Sequence, residues 1–154
     1  MDYRDALCKQ IDLYFYDITA KYHETTVAAM KEVKKFRPFK KKDFSGYIAE
    51  FETYKEKALR LESMDIPVPD EDVESKMLAK DFRNSLLSFV VLCDANIVFY
   101  DWNQKKQYNE KGVTVKDYAE VVNDMQNALK EAVVDLDLLE RAYKEYRADK
   151  PAQE

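Results

Sequence analysis

The stretch from Val115 to Tyr146 constrains the fold most strongly, because its apolar residues alternate three and four positions apart without a slip. They are Val115, Tyr118, Val122, Met125, Leu129, Ala132, Leu136, Leu139, Tyr143 and Tyr146. This spacing keeps one apolar stripe on one side of an α-helix for about nine turns. Such a helix cannot bury its stripe alone, so other helices must supply the facing surfaces.

The composition also favours a helical protein. The chain has 154 residues, of which 46% are hydrophobic and 36% charged, with only two glycines and four prolines. This length suits one domain with a real core, and so few chain breakers favour long helices over many short strands. We therefore expect one all-α domain over residues 1–148, followed by a frayed tail over residues 149–154.

Apolar periodicity predicts three further helices before the one described above. They cover about residues 3–36, 45–64 and 71–110, and stiff prolines mark the connector between the last two. Asp43 or Ser45 is the expected cap of the second helix, Asp70 that of the third and Thr114 that of the fourth. Short connectors predict an antiparallel up-down four-helix bundle. Its second helix is the short one, so the connector after it can cover a gap in the bundle.

A basic segment, Lys31–Lys42, stands out in an acidic chain. It carries a net charge of +6 in a protein whose overall charge is −5. The residues that we expect to contact a partner are Lys34, Lys35, Arg37, Phe39, Lys40, Lys41 and Lys42. An acidic protein segment is the favoured partner, and nucleic acid or anionic lipid is an alternative. The plain interpretation is a solvated helix end whose lysines complement the helix dipole.

Two helices carry more apolar surface than one bundle core requires, around residues 13–18 of the first helix and 86–93 of the third. Excess apolar surface commonly means that a second surface is buried against it. The residues predicted for self-association are Leu13, Tyr16, Leu87, Val90, Val91 and Val98. A homodimer is the expected arrangement, and a helical partner protein is the alternative.

The chain has eleven tyrosines, eight phenylalanines and one tryptophan, most of which we expect to pack in the core. The alternative is a small-molecule site between the helices, lined by Tyr14, Tyr22, His23, Phe89, Asp94, Tyr100 and Asp101. Within this set, His23 is expected to bond to Asp94 or Asp101 and a tyrosine hydroxyl in the core.

Catalytic and cofactor motifs are missing from the sequence. His23 is the only histidine, with Ala20 three residues before it, which excludes the paired Glu-x-x-His pattern of diiron bundles. Cys8 and Cys93 match no metal spacing and are predicted to be reduced thiols. The two isolated glycines exclude phosphate-binding loops.

These observations lead to one functional prediction, a non-enzymatic adaptor, chaperone or regulatory subunit without cofactors. We expect it to be cytoplasmic, since neither a signal peptide nor a transmembrane segment is recognisable. Small-molecule sensing through the aromatic site is the alternative.

Overall fold

The structure is a computed structural model that describes residues 2–35, 42–107 and 115–148. Over these residues it is helical, without a strand, and four helices pack against each other. The predicted all-α fold is therefore confirmed at this level.

The first helix is continuous but changes its geometry twice. It is α-helical over Tyr3–Leu13, π-helical over Tyr14–Thr19 and α-helical again over Ala20–Lys34. The second helix covers Ser45–Ser63, the third Val73–Gln107 and the fourth Val115–Ala148. The predicted extensions of the first helix to Phe36 and of the third to Glu110 lie outside the described residues, as does the predicted Thr114 cap.

The π-helical segment was not predicted, although the spacing of the first helix gives a reason for it. The buried stripe takes seven steps over the 26 residues from Leu7 to Val33. At 3.6 residues per turn, an α-helix of that length rotates the stripe by roughly 80° away from its partner surface. The wider turns of a π-helix reduce this drift, so Ile18 before the transition and Thr25 after it are both buried.

The cap of the third helix was predicted two residues too early. Asp72 is the capping residue, because its Oδ1 atom accepts a hydrogen bond from the Ser75 amide at 3.1 Å. The Asp72 amide in turn donates to the Pro69 carbonyl, which forms a turn before the helix. Asp70 lies in this turn and forms an ion pair with Lys76 instead. The cap position of the second helix is Phe44 rather than the predicted Asp43 or Ser45, and the preceding Asp43 accepts a hydrogen bond from the Ser45 amide at 2.9 Å.

The core consists of a main cluster to which all four helices contribute and a second, smaller cluster of Leu92, Ala128 and Ala132. Its most fully buried large side chains are Leu7, Ile11, Tyr14, Ile18, Phe44, Phe51, Leu86, Tyr100 and Leu139. The stripe of the fourth helix faces the main cluster as predicted at Leu139, Tyr143 and Tyr146 and the smaller cluster at Ala132, whereas Leu129 is 45% exposed. The apolar periodicity therefore identified most of the buried positions.

Polar contacts between helices fix their relative heights. The pairs are Thr25 with Tyr54, Tyr14 with Ser85, Tyr22 with Asn96, Ser75 with Tyr146, and Ser88 with Asp135. The second helix is the shortest of the four, and the chain after Ser63 crosses toward the start of the third helix without regular structure. This unequal length leaves an open groove, described below.

Candidate interaction surfaces

An exposed apolar surface lies on the solvent side of the third and fourth helices. Its residues are Leu87, Val91 and Val98 on the third helix and Val134 and Leu138 on the fourth, and we call this set the outer apolar face. Each side chain is between 40% and 58% exposed.

The two halves of the outer apolar face flank one contact between helices. The Ser88 hydroxyl donates to the Asp135 carboxylate across the third and fourth helices. Successive residues of an α-helix are rotated by 100° about its axis. Leu87 and Val134 therefore point farther away from the core than the neighbouring Ser88 and Asp135. A depression of about 370 Å³, lined by Lys130, Glu131, Val134 and Asp135, adjoins them.

The six residues predicted for self-association do not form one surface. Leu13 and Tyr16 are exposed on the first helix, and Tyr16 is 76% exposed. The first and third helices meet across the core through the Tyr14–Ser85 pair, so their solvent-facing sides point away from each other. Val90 is only partly buried but packs against the core. The prediction therefore separates into the outer apolar face and a smaller patch on the first helix.

Only the ends of the predicted basic surface lie within the described residues. Lys34 and Lys35 are exposed at the end of the first helix, and the Lys42 ammonium donates to the Val33 carbonyl at 2.6 Å. Lys35 also lies 3.6 Å from the Glu32 carboxylate. Arg37, Phe39, Lys40 and Lys41 lie outside the described residues. The contact from Lys42 to Val33 holds the two ends of the basic segment close together.

The predicted aromatic site is filled by its own rings. Tyr14 and Tyr22 both contact Phe89, with ring centroids 5.8 and 5.1 Å from it, and Tyr100 stacks on Phe51 at 5.6 Å. The tyrosine hydroxyls are engaged as well, since Tyr14 bonds to Ser85 and Tyr22 accepts from Asn96. Burial raises the pKa of Tyr100 to about 12 and raises those of Tyr14 and Tyr22 further.

The polar residues assigned to this aromatic site lie away from it. His23 is exposed, which contradicts its predicted hydrogen bond in the core. Asp94 forms an ion pair with Lys55 at 2.8 Å, and Asp101 forms one with Lys105 at 3.0 Å. The hydrogen bond to Asp94 raises the pKa of Lys55. Both carboxylates are about half exposed because they lie on the outer side of the third helix rather than facing the aromatic core.

An open groove of about 430 Å³ lies where the second helix ends. Its apolar floor consists of Leu7, Leu61, Ile66, Ala79, Phe82 and Leu86, and its polar rim of Gln10, Glu62, Ser63, Asp65 and Arg83, with Met64 between them. Sequence reasoning anticipated a gap beside the short helix but not which side chains would line it. We call this site the connector groove.

The connector groove has two polar contacts at its rim. The Arg83 guanidinium lies 3.1 Å from the Glu62 carboxylate, and the Gln10 amide nitrogen contacts the Met64 sulfur at 3.5 Å. Asp65 is exposed. With Glu62 paired to Arg83, the rim retains the negative charge of Asp65.

A carboxylate at the start of the third helix joins this helix to the start of the first helix. Asp72 accepts hydrogen bonds from the Tyr3 hydroxyl at 2.5 Å, from Arg4 Nε at 3.1 Å and from the Ser75 hydroxyl at 2.8 Å. The Ser75 hydroxyl is also 2.7 Å from that of Tyr146. These hydrogen bonds hold the pKa of Asp72 far below its usual range, and the bond from Tyr3 has the largest effect. We call these contacts the Asp72 clasp, and their role is structural.

Metal and disulfide chemistry have little support in the described part of the chain. Its His, Cys, Asp and Glu side chains form no group of three or more able to hold a metal ion. Cys8 is partly buried and Cys93 is buried, and both are free thiols.

The third helix meets the length and composition of a membrane span within Val73–Lys105, where its most apolar 18-residue window has a mean hydropathy of 1.4. In its most apolar window, 44% is buried inside the molecule, and the core helix of a soluble protein meets the same criterion. The expected absence of a transmembrane segment therefore stays a prediction.

Comparison of the chain with protein-family models, curated proteins and solved structures found no match to any of them.

Proposed function

We propose that this chain is a non-enzymatic helical interaction protein that forms a homodimer through the outer apolar face and presents its basic segment to an acidic partner. The observation that carries the proposal is the exposure of Leu87, Val91 and Val98 along the most apolar helix. Clustered exposed apolar residues mark interaction surfaces in soluble proteins. A twofold dimer pairs the same surface on both copies. Asp94 and Asp101 lie on the same side of the third helix, and each is paired with a lysine of its own copy.

The placement of the polar residues supports an interaction role rather than catalysis. Asp94 and Asp101 are held by lysines, and His23 is exposed apart from the aromatic core. A general acid or base needs a partner and a substrate within hydrogen-bond distance of a shared cleft. The aromatic-site alternative has weaker support, since Tyr14, Tyr22 and Phe89 occupy the space among them.

The arrangement that we propose for the four helices is an antiparallel up-down bundle. The order of the contacts between the first and second helices supports it. Asp17 pairs with Lys57, and Thr25, which is later in the first helix, pairs with Tyr54, which is earlier in the second. The two helices therefore run in opposite directions. Spin labels at the exposed Ala28 and Glu50 should then be close together. A label moved from Glu50 to Arg60 should lie roughly 15 Å farther along the axis.

Light scattering across a concentration series tests the homodimer. At about 1 M salt the screening length is about 3 Å, so apolar contacts persist while exposed charge contacts are suppressed. We expect a dimer for the native chain and a monomer for the double variant Leu87→Glu, Val91→Glu. Because both side chains are exposed, the variant should melt within a few degrees of the native chain.

The matched control carries the same charge change on the other exposed patch, as Leu13→Glu and Tyr16→Glu. It should remain a dimer. A native chain that stays monomeric at every concentration, or a control that dissociates as fully as the test variant, would contradict the proposed dimer surface.

A further inference from the structure

The connector groove has the shape and chemistry of a site for an aromatic side chain flanked by positive charge. Its floor is apolar, with Leu61, Phe82 and Leu86 at its base, and its volume of about 430 Å³ falls in the range of ligand-binding clefts. The groove is open on one side, so an extended chain segment can lie across it while one side chain enters. Burying an aromatic ring in such a groove supplies the main favourable contribution to binding.

The charges around the connector groove favour a cation beside that ring. The stretch from Met64 to Asp72 contains four carboxylates and no Lys or Arg. Two of them are already engaged, Asp72 by Tyr3 and Arg4 and Asp70 by Lys76. The other two are exposed, and of these Asp65 lines the groove whereas Glu71 lies six residues farther along the connector. The cation at the rim, Arg83, is paired with Glu62.

One segment of this chain has the complementary chemistry. Residues 36–42 read Phe-Arg-Pro-Phe-Lys-Lys-Lys, which places two aromatic side chains among four positive charges. The proline removes one backbone donor and restricts the chain before it, so less conformational entropy is lost when this segment is bound.

The basic segment of a molecule cannot reach the connector groove of the same molecule. Within this segment, residues 36–41 lie between Lys35 and Lys42, and Lys42 contacts Val33, so both flanks of these residues lie at the end of the first helix. Six extended residues span at most roughly 20 Å, and returning to the starting point halves that reach. The second helix, with its 19 residues, separates the segment from the groove by about 28 Å.

We infer that the connector groove binds the basic segment of a second copy of this chain. The inference rests on the proposed function, in that it identifies the acidic partner of the basic segment as another molecule of the same protein. The contact joins different surfaces of the two copies, so it is head to tail and adds further copies unless the geometry closes a ring. It is distinct from the homodimer contact and, unlike it, weakens as salt screens the charges.

A peptide covering residues 33–43, labelled with a fluorophore, tests the groove on the full chain. The Leu87→Glu, Val91→Glu background removes the proposed dimer contact, and low salt preserves the charge contacts. We expect the variant Asp65→Lys, Glu71→Lys to bind the peptide roughly tenfold more weakly. The matched control Glu120→Lys, Asp124→Lys carries the same charge change at exposed positions of the fourth helix that do not line the groove, and it should bind within about twofold of the background.

The aromatic contribution is tested with a second peptide in which Phe36 and Phe39 are replaced by serine. This peptide keeps all the charges, so a roughly tenfold weaker affinity would assign the difference to burial of the rings. Equal affinity of the two peptides, or equal weakening by both pairs of charge substitutions, would show unspecific attraction and overturn the inference. Absence of peptide binding at low salt would overturn it as well.

Mixing two full-length variants tests the head-to-tail geometry in the same background. The segment variant Phe36→Ser, Phe39→Ser keeps an intact groove, and the groove variant Asp65→Lys, Glu71→Lys keeps an intact segment. Each alone should be monomeric by light scattering at low salt, whereas an equimolar mixture should form a one-to-one complex and nothing larger. A mixture that stays monomeric overturns the head-to-tail contact, while the high-salt dimer of the native chain is decided by its own experiment.

Discussion

The hydroxyl oxygens of Tyr14 and Ser85 lie 2.9 Å apart, inside the core and across the first and third helices. The Tyr14 hydroxyl also donates to the Ser85 carbonyl at 3.2 Å. Both residues are 1% exposed, so water cannot replace either partner. Tyr14 is also the first residue of the π-helical segment, and this bond therefore anchors the segment to the third helix.

Replacing Tyr14 by phenylalanine removes this bond and leaves the ring contacts in place. We expect the free energy of unfolding to fall by about 1 kcal/mol, the usual net contribution of a buried hydrogen bond. Urea denaturation of Tyr14→Phe, Ser85→Ala and the double variant gives the coupling between the two residues. Tyr16→Phe, at a position that is 76% exposed, should change the stability by less than about 0.5 kcal/mol. Equal losses for the two tyrosines would contradict the structural role of the Tyr14 hydroxyl.

The Asp72 clasp predicts a dependence of stability on pH. The folded pKa of Asp72 is depressed, so its ionised form stabilises the folded state above the unfolded pKa of about 3.9 and this contribution is lost as the pH falls toward the folded pKa. Asp72→Asn should lower the melting temperature by roughly 3–6 °C at neutral pH. The difference from the native chain should shrink below about pH 4. Circular dichroism melts measure this, with the exposed Asp5→Asn as a control, and a difference that grows in acid would refute the clasp.

The two thiols should differ in reactivity. Cys93 is fully buried, and burial raises its pKa, so it has little access to reagent and little of the reactive thiolate. Cys8 is only partly buried, so reagent can reach it more easily. Alkylation followed by mass spectrometry should therefore modify Cys8 in the folded protein well before Cys93. Modification of Cys93 should follow global unfolding, and similar rates for both thiols in the folded protein would disagree with the structure.

His23 should be dispensable for stability. Its side chain is exposed on the first helix, so His23→Ala should change the free energy of unfolding by less than about 0.5 kcal/mol. The neighbouring Tyr22→Phe removes a hydroxyl that accepts a hydrogen bond from Asn96, and it should cost about 1 kcal/mol. Urea denaturation compares the two. A larger loss of unfolding free energy for His23→Ala than for Tyr22→Phe would contradict the exposed position of His23 and support its predicted hydrogen bond in the core.

Much of the core followed from periodicity alone. The stripe on the fourth helix and the series Leu7, Ile11, Tyr14 and Ile18 on the first were identified as inward-facing, and the structure buries most of them. The predicted hydrogen bond between His23 and Asp94 was wrong for a related reason. Periodicity shows which positions share a helix face, but not which neighbouring helix that face meets, so His23 and Asp94 were wrongly joined across the core.

The sequence by itself determined the helical class, the extent of the helices within a few residues and the inward-facing stripes, because these depend on local spacing and on chain breakers. Only the tertiary structure decided which of the extra apolar residues are buried and which are exposed. It buried Val90 against the core, exposed Leu87 and Val91, and separated them from Leu13 and Tyr16 on the far side of the bundle. It also formed the connector groove, whose walls come from residues more than fifty positions apart in the chain. Such surfaces depend on how whole helices pack, which no local pattern encodes.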